Sequence, residues 1–201
     1  LIGFAGSPWT LLVYALNLKS PKGEFNLNYK EDVILELLNK FINLISWHCI
    51  EQIKNGADVI QLFDSWAGII EKEKLNLFCE NPNKKIIQNI KKIYPYVPVI
   101  CFPRNIKGNI NSFVANVKPD GMSLDFNTDI QKIDIDSNVV YQGGMRPDLL
   151  TIDDESEITK EAKKYLDFFK NKRYIFNLGH GVLPDTKIKN VEKLVNFVKN
   201  Y

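Results

Sequence analysis

The chain has 201 residues, 45% of them hydrophobic and 25% charged, and its 26 basic and 24 acidic side chains leave a net charge of +2. That length fits one domain or part of a larger one, with enough chain for a sizeable core. The balanced charge, with no basic stripe, argues against a dedicated nucleic-acid binder, and no unbroken apolar run reaches the roughly 18 residues of a membrane span.

Cys49, Cys79 and Cys101 are odd in number and widely spaced. They suggest neither a disulfide framework nor a paired-cysteine zinc site, and thiols in a reducing cytoplasm fit best. The start of the chain shows no basic region or cleavage site of a secretory signal. The first element is the apolar run LIGFAG (1–6), followed by the helix-like SPWTLLVY. A long amphipathic stretch, 30–56, has apolar residues at helical spacing and a stop at Gly56. The run ADVIQLFD (57–64) is followed by a helical pattern over 83–96 that halts near Pro95. VPVICF (97–102) and GMSLDF (121–126) come next, and after them NTDIQKIDIDS leaves room for about one to two helical turns. NVVYQG (138–143), a helix over 158–171, RYIFNLG (173–179) and a helix over 189–201 complete the chain.

The apolar runs are nearly continuous rather than alternating, as strands of a parallel sheet buried on both faces read. Strands alternating with helices predict an α/β fold with about six βα units. Periodicity alone leaves open a closed eight-stranded barrel or a doubly wound open sheet. Either places chemistry just beyond the carboxyl ends of the strands. There His180 stands between two glycines in NLGHGVLPD (177–185), a candidate hydrogen-bond or proton-transfer group. The glycines would allow positive φ and close approach of a ligand. In FDSWAG (63–68), alternation points Phe63 and Ser65 one way and Asp64 the other, so Ser65 could donate to a ligand lying over Phe63. No nucleophile-elbow pattern surrounds that serine. His48, beside Cys49 within a helical pattern, reads as a core or partly buried histidine, since adjacent helical residues do not converge on a metal.

Taken together, GFAGSPWTL (3–11), GADVIQLFDSWAG (56–68), LDF (124–126), QGGMRP (142–147) and FNLGHGVLPDT (176–186) resemble the uroporphyrinogen decarboxylase family. The resemblance runs over nearly the whole chain in matching order. It implies a (β/α)8 TIM barrel, of which residues 1–201 are a single incomplete domain holding strands 3 to 8. It implies a cytoplasmic enzyme, usually a homodimer, with no metal or cofactor and no nucleic-acid or membrane partner. The reaction implied converts the four acetate arms of uroporphyrinogen III to methyls, giving coproporphyrinogen III on the route to haem. By matching position, Tyr14, Ser65 and His180 are substrate-binding residues, and Phe63 lies under the macrocycle.

The family's aspartate facing the pyrrole nitrogens, and its RQAGRY-like arginine loop, belong to strands with no counterpart here, so the resemblance assigns no catalytic residue to this chain. By position Asp64, Asp125 and Asp129 are not that aspartate, and the only arginines are Arg104, Arg146 and Arg173. The 201 residues alone are therefore expected to be inactive. ALNLKSPKGEF after Tyr14, CFPRN after the third visible strand, and Gly144 and Arg146 in QGGMRP depart from the family pattern. Two alternatives remain at this level. One is a zinc-dependent methyltransferase of the same superfamily, disfavoured because Val99 stands where a histidine should precede Cys101. The other is a non-catalytic fragment or remnant.

Overall fold

A computed structural model describes residues 1–16, 29–106 and 108–201. Most of ALNLKSPKGEF, from residue 17 on, lies outside them. The fold divides into two compact units, Leu1–Gly121 and Met122–Tyr201.

In the first unit β1 (Ile2–Gly6), β2 (Val59–Asp64) and β3 (Val99–Pro103) are parallel and hydrogen-bonded in chain order. Gly6 pairs with Phe63, and Phe63 with Phe102. Helices α1 (Pro8–Ala15), α2 (Glu31–Lys54), α3 (Asn81–Ile93) and α4 (Ile110–Val117) intervene. The predicted list lacked α4, an eight-residue helix of about two turns, although its buried Ile110, Phe113, Val114 and Val117 stand at helical spacing. Pro8 suits the first helical position of α1, where its missing N–H leaves no bond unmade. Glu31 and Asp32 in the first turn of α2 and Lys54 in its last suit the helix dipole, and Gly56 at φ +100° turns the chain out. The buried stripe Ile34, Leu38, Ile42, Ile45, Cys49 follows one face of α2. Among the described residues α2 alone is long and apolar enough, by length and composition, to cross a membrane. Its packing against β1, α1 and α3 makes that stripe part of the core.

Trp9, Leu12 and Val13 of α1 meet Ile34 and Leu38 of α2 and Phe78, with the Trp9 and Phe78 rings stacked at 5.3 Å. His48 is exposed, against the sequence reading: each helical residue turns about 100°, so burying Cys49 directs His48 and Trp47 outward. Burial on both strand faces also fails for β1. Ala5 packs inward at 8% exposure, but Ile2 and Phe4 are 54% and 65% exposed, because α2 covers only the opposite face. On the outer edge of β1, the Gln52 side-chain amide of α2 accepts from the Phe4 N–H at 2.8 Å and donates to its carbonyl at 3.0 Å.

In the second unit β4 (Gly121–Leu124), whose first residue closes the first unit, β5 (Val140–Gly143) and β6 (Tyr174–Ile175) again neighbour one another in chain order. Tyr141 pairs with Tyr174 in parallel. NTDIQKIDIDS yields one 3-10 turn, Ile130–Lys132, capped by the Asp129 carboxylate. Helices α5 (Glu155–Phe169) and α6 (Ile188–Lys199) pack on each other. Beyond β6 a further parallel bridge joins Met145 and Leu178, with Gly179 N–H donating to the Met145 carbonyl at 2.7 Å.

Candidate active site

The carboxyl ends of β1 and β2 are tied by a buried polar network. Asp64, the last residue of β2, is 1% exposed and accepts from Thr10 Oγ1 of α1 at 2.8 Å and from Asn83 Nδ2 of α3 at 3.3 Å. Ser7 Oγ donates to Asn83 Oδ1 at 2.8 Å, and Trp66 N–H donates to Thr10 Oγ1 at 3.2 Å. Burial pushes the Asp64 carboxyl up to about 6, against the pull of hydrogen bonds from Thr10, Cys79 and Asn83. Burial also raises the thiols of Cys79 and Cys101, with the nearby Asp64 charge adding to both. A raised thiol is the opposite of what a metal-binding or nucleophilic cysteine needs. Trp9 Nε1 donates to the Trp66 carbonyl at 3.1 Å. These bonds pin α1, which carries Tyr14, to the segment that carries Ser65.

Phe63 lies on the other side of β2 from Asp64, as alternation predicts. Phe63 meets Phe4 and Phe102 edge-on at 6.1 Å each, so one aromatic row crosses β1, β2 and β3. Ser65 lies two residues beyond Phe63, half-buried, and its hydroxyl makes no hydrogen bond among the described residues. Tyr14 is 47% exposed, with its hydroxyl likewise unengaged there. A cavity of about 290 Å³ lies between residues 67–75 and the segment that holds Asn105, Ile106 and Asn109.

In the second unit the tips are set by glycines. Gly143 and Gly144 both have positive φ, 82° and 104°, which a side chain would strain. Tyr174 donates to the Gly143 carbonyl at 2.7 Å and Tyr165 to the Gly144 carbonyl at 2.6 Å. A Cβ on Gly144 would lie 2.5 Å from Tyr165 Cε1. Asp125, after β4, accepts from Asn127 N–H at 2.8 Å and shapes a turn. His180 is exposed, its Nδ1 3.4 Å from the Gly181 carbonyl, which leaves the imidazole open to a ligand. The flanking glycines serve otherwise than expected. Neither has positive φ; Gly179 is required because a Cβ there would meet Phe126 N at 2.4 Å, whereas Gly181 faces open space. Arg146 makes a two-pronged ion pair with Asp148, at 3.1 and 2.5 Å.

The structure thus brings Phe63 and Ser65 onto one strand tip with Tyr14 on the adjoining helix, and sets His180 at a tip of the second unit. The network of Ser7, Thr10, Asp64 and Asn83 was not predicted. Its signal was present in the polar residues that follow two apolar strands, but Asn83 gave none.

Parallel strands in chain order with helical segments between them define a protein of the α/β class. A crystal structure from Listeria monocytogenes, assigned as a vitamin-B12-independent methionine synthase, shares the fold at a TM-score of 0.56 and 15% identity, covering 98% of this chain and 62% of that one. The chain belongs to the uroporphyrinogen decarboxylase (URO-D) family, whose profile matches residues 1–201. It is 37% identical over 210 residues to the uroporphyrinogen decarboxylase of Orientia tsutsugamushi (strain Ikeda), and 40% identical over 207 residues to that of Rickettsia bellii (strain RML369-C). Both alignments take in 100% of this chain, which spans 60% of either relative.

Proposed function

We propose that these residues form part of the active site of a uroporphyrinogen decarboxylase, acting on uroporphyrinogen III in the cytoplasm as a homodimer and without a cofactor. The observation that carries this reading is an aromatic row across β1, β2 and β3 that ends beside the unengaged Ser65 hydroxyl, in a chain matching the family from end to end. The substrate is a large ring with eight carboxylates. Phe63 and its neighbours supply an apolar surface for the ring, while Tyr14, Ser65 and His180 donate hydrogen bonds to carboxylates. A single incomplete barrel domain over 1–201 belongs to the same reading.

The chemistry suits a protein that binds rather than attacks. A proton added to a pyrrole carbon makes that ring an electron sink. The bond from the acetate methylene to its carboxylate then breaks, carbon dioxide leaves, and the electron pair neutralises the ring. A proton delivered to the methylene carbon, with loss of the ring proton, leaves a methyl. Each turn consumes one proton and releases one carbon dioxide. Groups that hold carboxylates and stabilise the protonated ring accelerate this by favouring the charged transition state.

The test is conversion of uroporphyrinogen III to coproporphyrinogen III by the full-length polypeptide, followed as oxidised porphyrins. Turnover that falls in Ser65→Ala, Tyr14→Phe and His180→Asn is the expected result, and an inert full-length polypeptide overturns the reading. The 201 residues alone, which hold no counterpart of the family's aspartate, are expected to bind the ring without turnover.

A further inference from the structure

We propose that Arg104 is a carboxylate-binding residue of this site, receiving one acid arm of the ring beside Ser65. The inference rests on the decarboxylase reading and adds to it a cation that the resemblance does not assign. Three arginines are available, and their surroundings separate them. Arg146 is already held by Asp148 through two hydrogen bonds. Arg173 precedes β6 and so sits at the amino end of its strand, away from the tips. Arg104 follows β3 directly, at the carboxyl end, is half-buried, and has no carboxylate partner among the described residues. A guanidinium not held by a carboxylate of the chain is free to take one from a ligand in a two-pronged bond.

The register fixes where that charge would come from. Phe63 pairs with Phe102 and Asp64 with Pro103, and the ladder continues, since Arg104 N–H donates to the Asp64 carbonyl at 3.1 Å. Ser65 and Arg104 are thus the next pair, each two residues past a ring of the aromatic row. Both stand in the turns that open directly beyond these two strand ends, next to the end of the aromatic row. Adjacent strands lie about 4.8 Å apart, so one carboxylate can accept from the Ser65 hydroxyl and from the planar guanidinium together. A macrocycle lying on Phe63 and Phe102 presents its acid arms at its rim, where this pair stands.

The test uses uroporphyrin, the stable oxidised octa-acid, titrated into the full-length polypeptide by fluorescence quenching at several salt concentrations. Arg104→Gln is expected to weaken binding about tenfold or more, the usual loss for a charge-assisted hydrogen bond, and to flatten the salt dependence. Arg104→Lys should recover part of the affinity, with unchanged melting temperatures in both variants. Arg104→Gln binding with the parent's affinity and salt slope overturns the proposal while leaving the decarboxylase reading intact. A folded parent that binds no uroporphyrin overturns both.

Discussion

The strand tips of the two units are held by different means. In the first unit, side chains do it: a buried carboxylate gathers a hydroxyl and an amide from two helices. In the second, the backbone does it: Gly143 and Gly144 adopt positive φ and tyrosine hydroxyls close on their carbonyls, while Gly179 lets two chain segments touch. The first arrangement contains a proton that can come and go near neutral pH; the second is steric. The two units therefore differ in what disturbs them, pH for one and added volume for the other.

The largest expected effect tests the steric side. Gly179→Ala should destabilise the chain by more than ~3 kcal/mol in urea unfolding, because the new methyl meets main-chain atoms that cannot swing aside. A loss below ~1 kcal/mol would remove close backbone approach as the reason for that glycine. Next comes the titratable side. Folded Asp64 keeps its proton up to about pH 6, whereas its ordinary value is 3.8. Over that window the folded state holds a proton the unfolded chain gives up, so stability declines as pH rises and levels off above it. The decline amounts to roughly 3 kcal/mol. Asp64→Asn should flatten this slope in unfolding experiments run from pH 4 to 7, and an unchanged slope would place the titration elsewhere. Tyr165→Phe should cost about 1 kcal/mol at any pH in that range, the worth of one hydrogen bond to the Gly144 carbonyl. Ser65→Ala should change stability by less than ~0.5 kcal/mol, since its hydroxyl bonds to nothing described, and show its effect in porphyrin affinity and turnover instead.

Much of the fold could be read from the amino acids because parallel strands announce themselves as short apolar runs and helices as spaced ones. The strand LIGFAG and the helix ending at Gly56 are examples. Alternation in FDSWAG was enough to separate Phe63 from Asp64. What could not be read was long-range pairing. Asn83 lies 19 residues from Asp64, within a helical pattern, and nothing local marks it as that carboxylate's partner. His48 was legible as exposed: the apolar stripe runs to Cys49, and one helical step of about 100° turns its neighbour away from the core. Of the glycines around His180, only Gly179 proves necessary, and its reason was not legible, since Asp125 and Phe126 come near only in the folded chain.

Gln52 gives β1 something unusual. A primary amide presents a donor and an acceptor side by side, as a peptide group does, so this one side chain imitates a single residue of an adjoining strand at Phe4. Among the described residues the imitation extends no further along the edge, and a genuine neighbouring strand could displace it by exchanging two bonds for two. β1 is thus shielded from chance self-pairing at its midpoint by a stopper that costs little to withdraw.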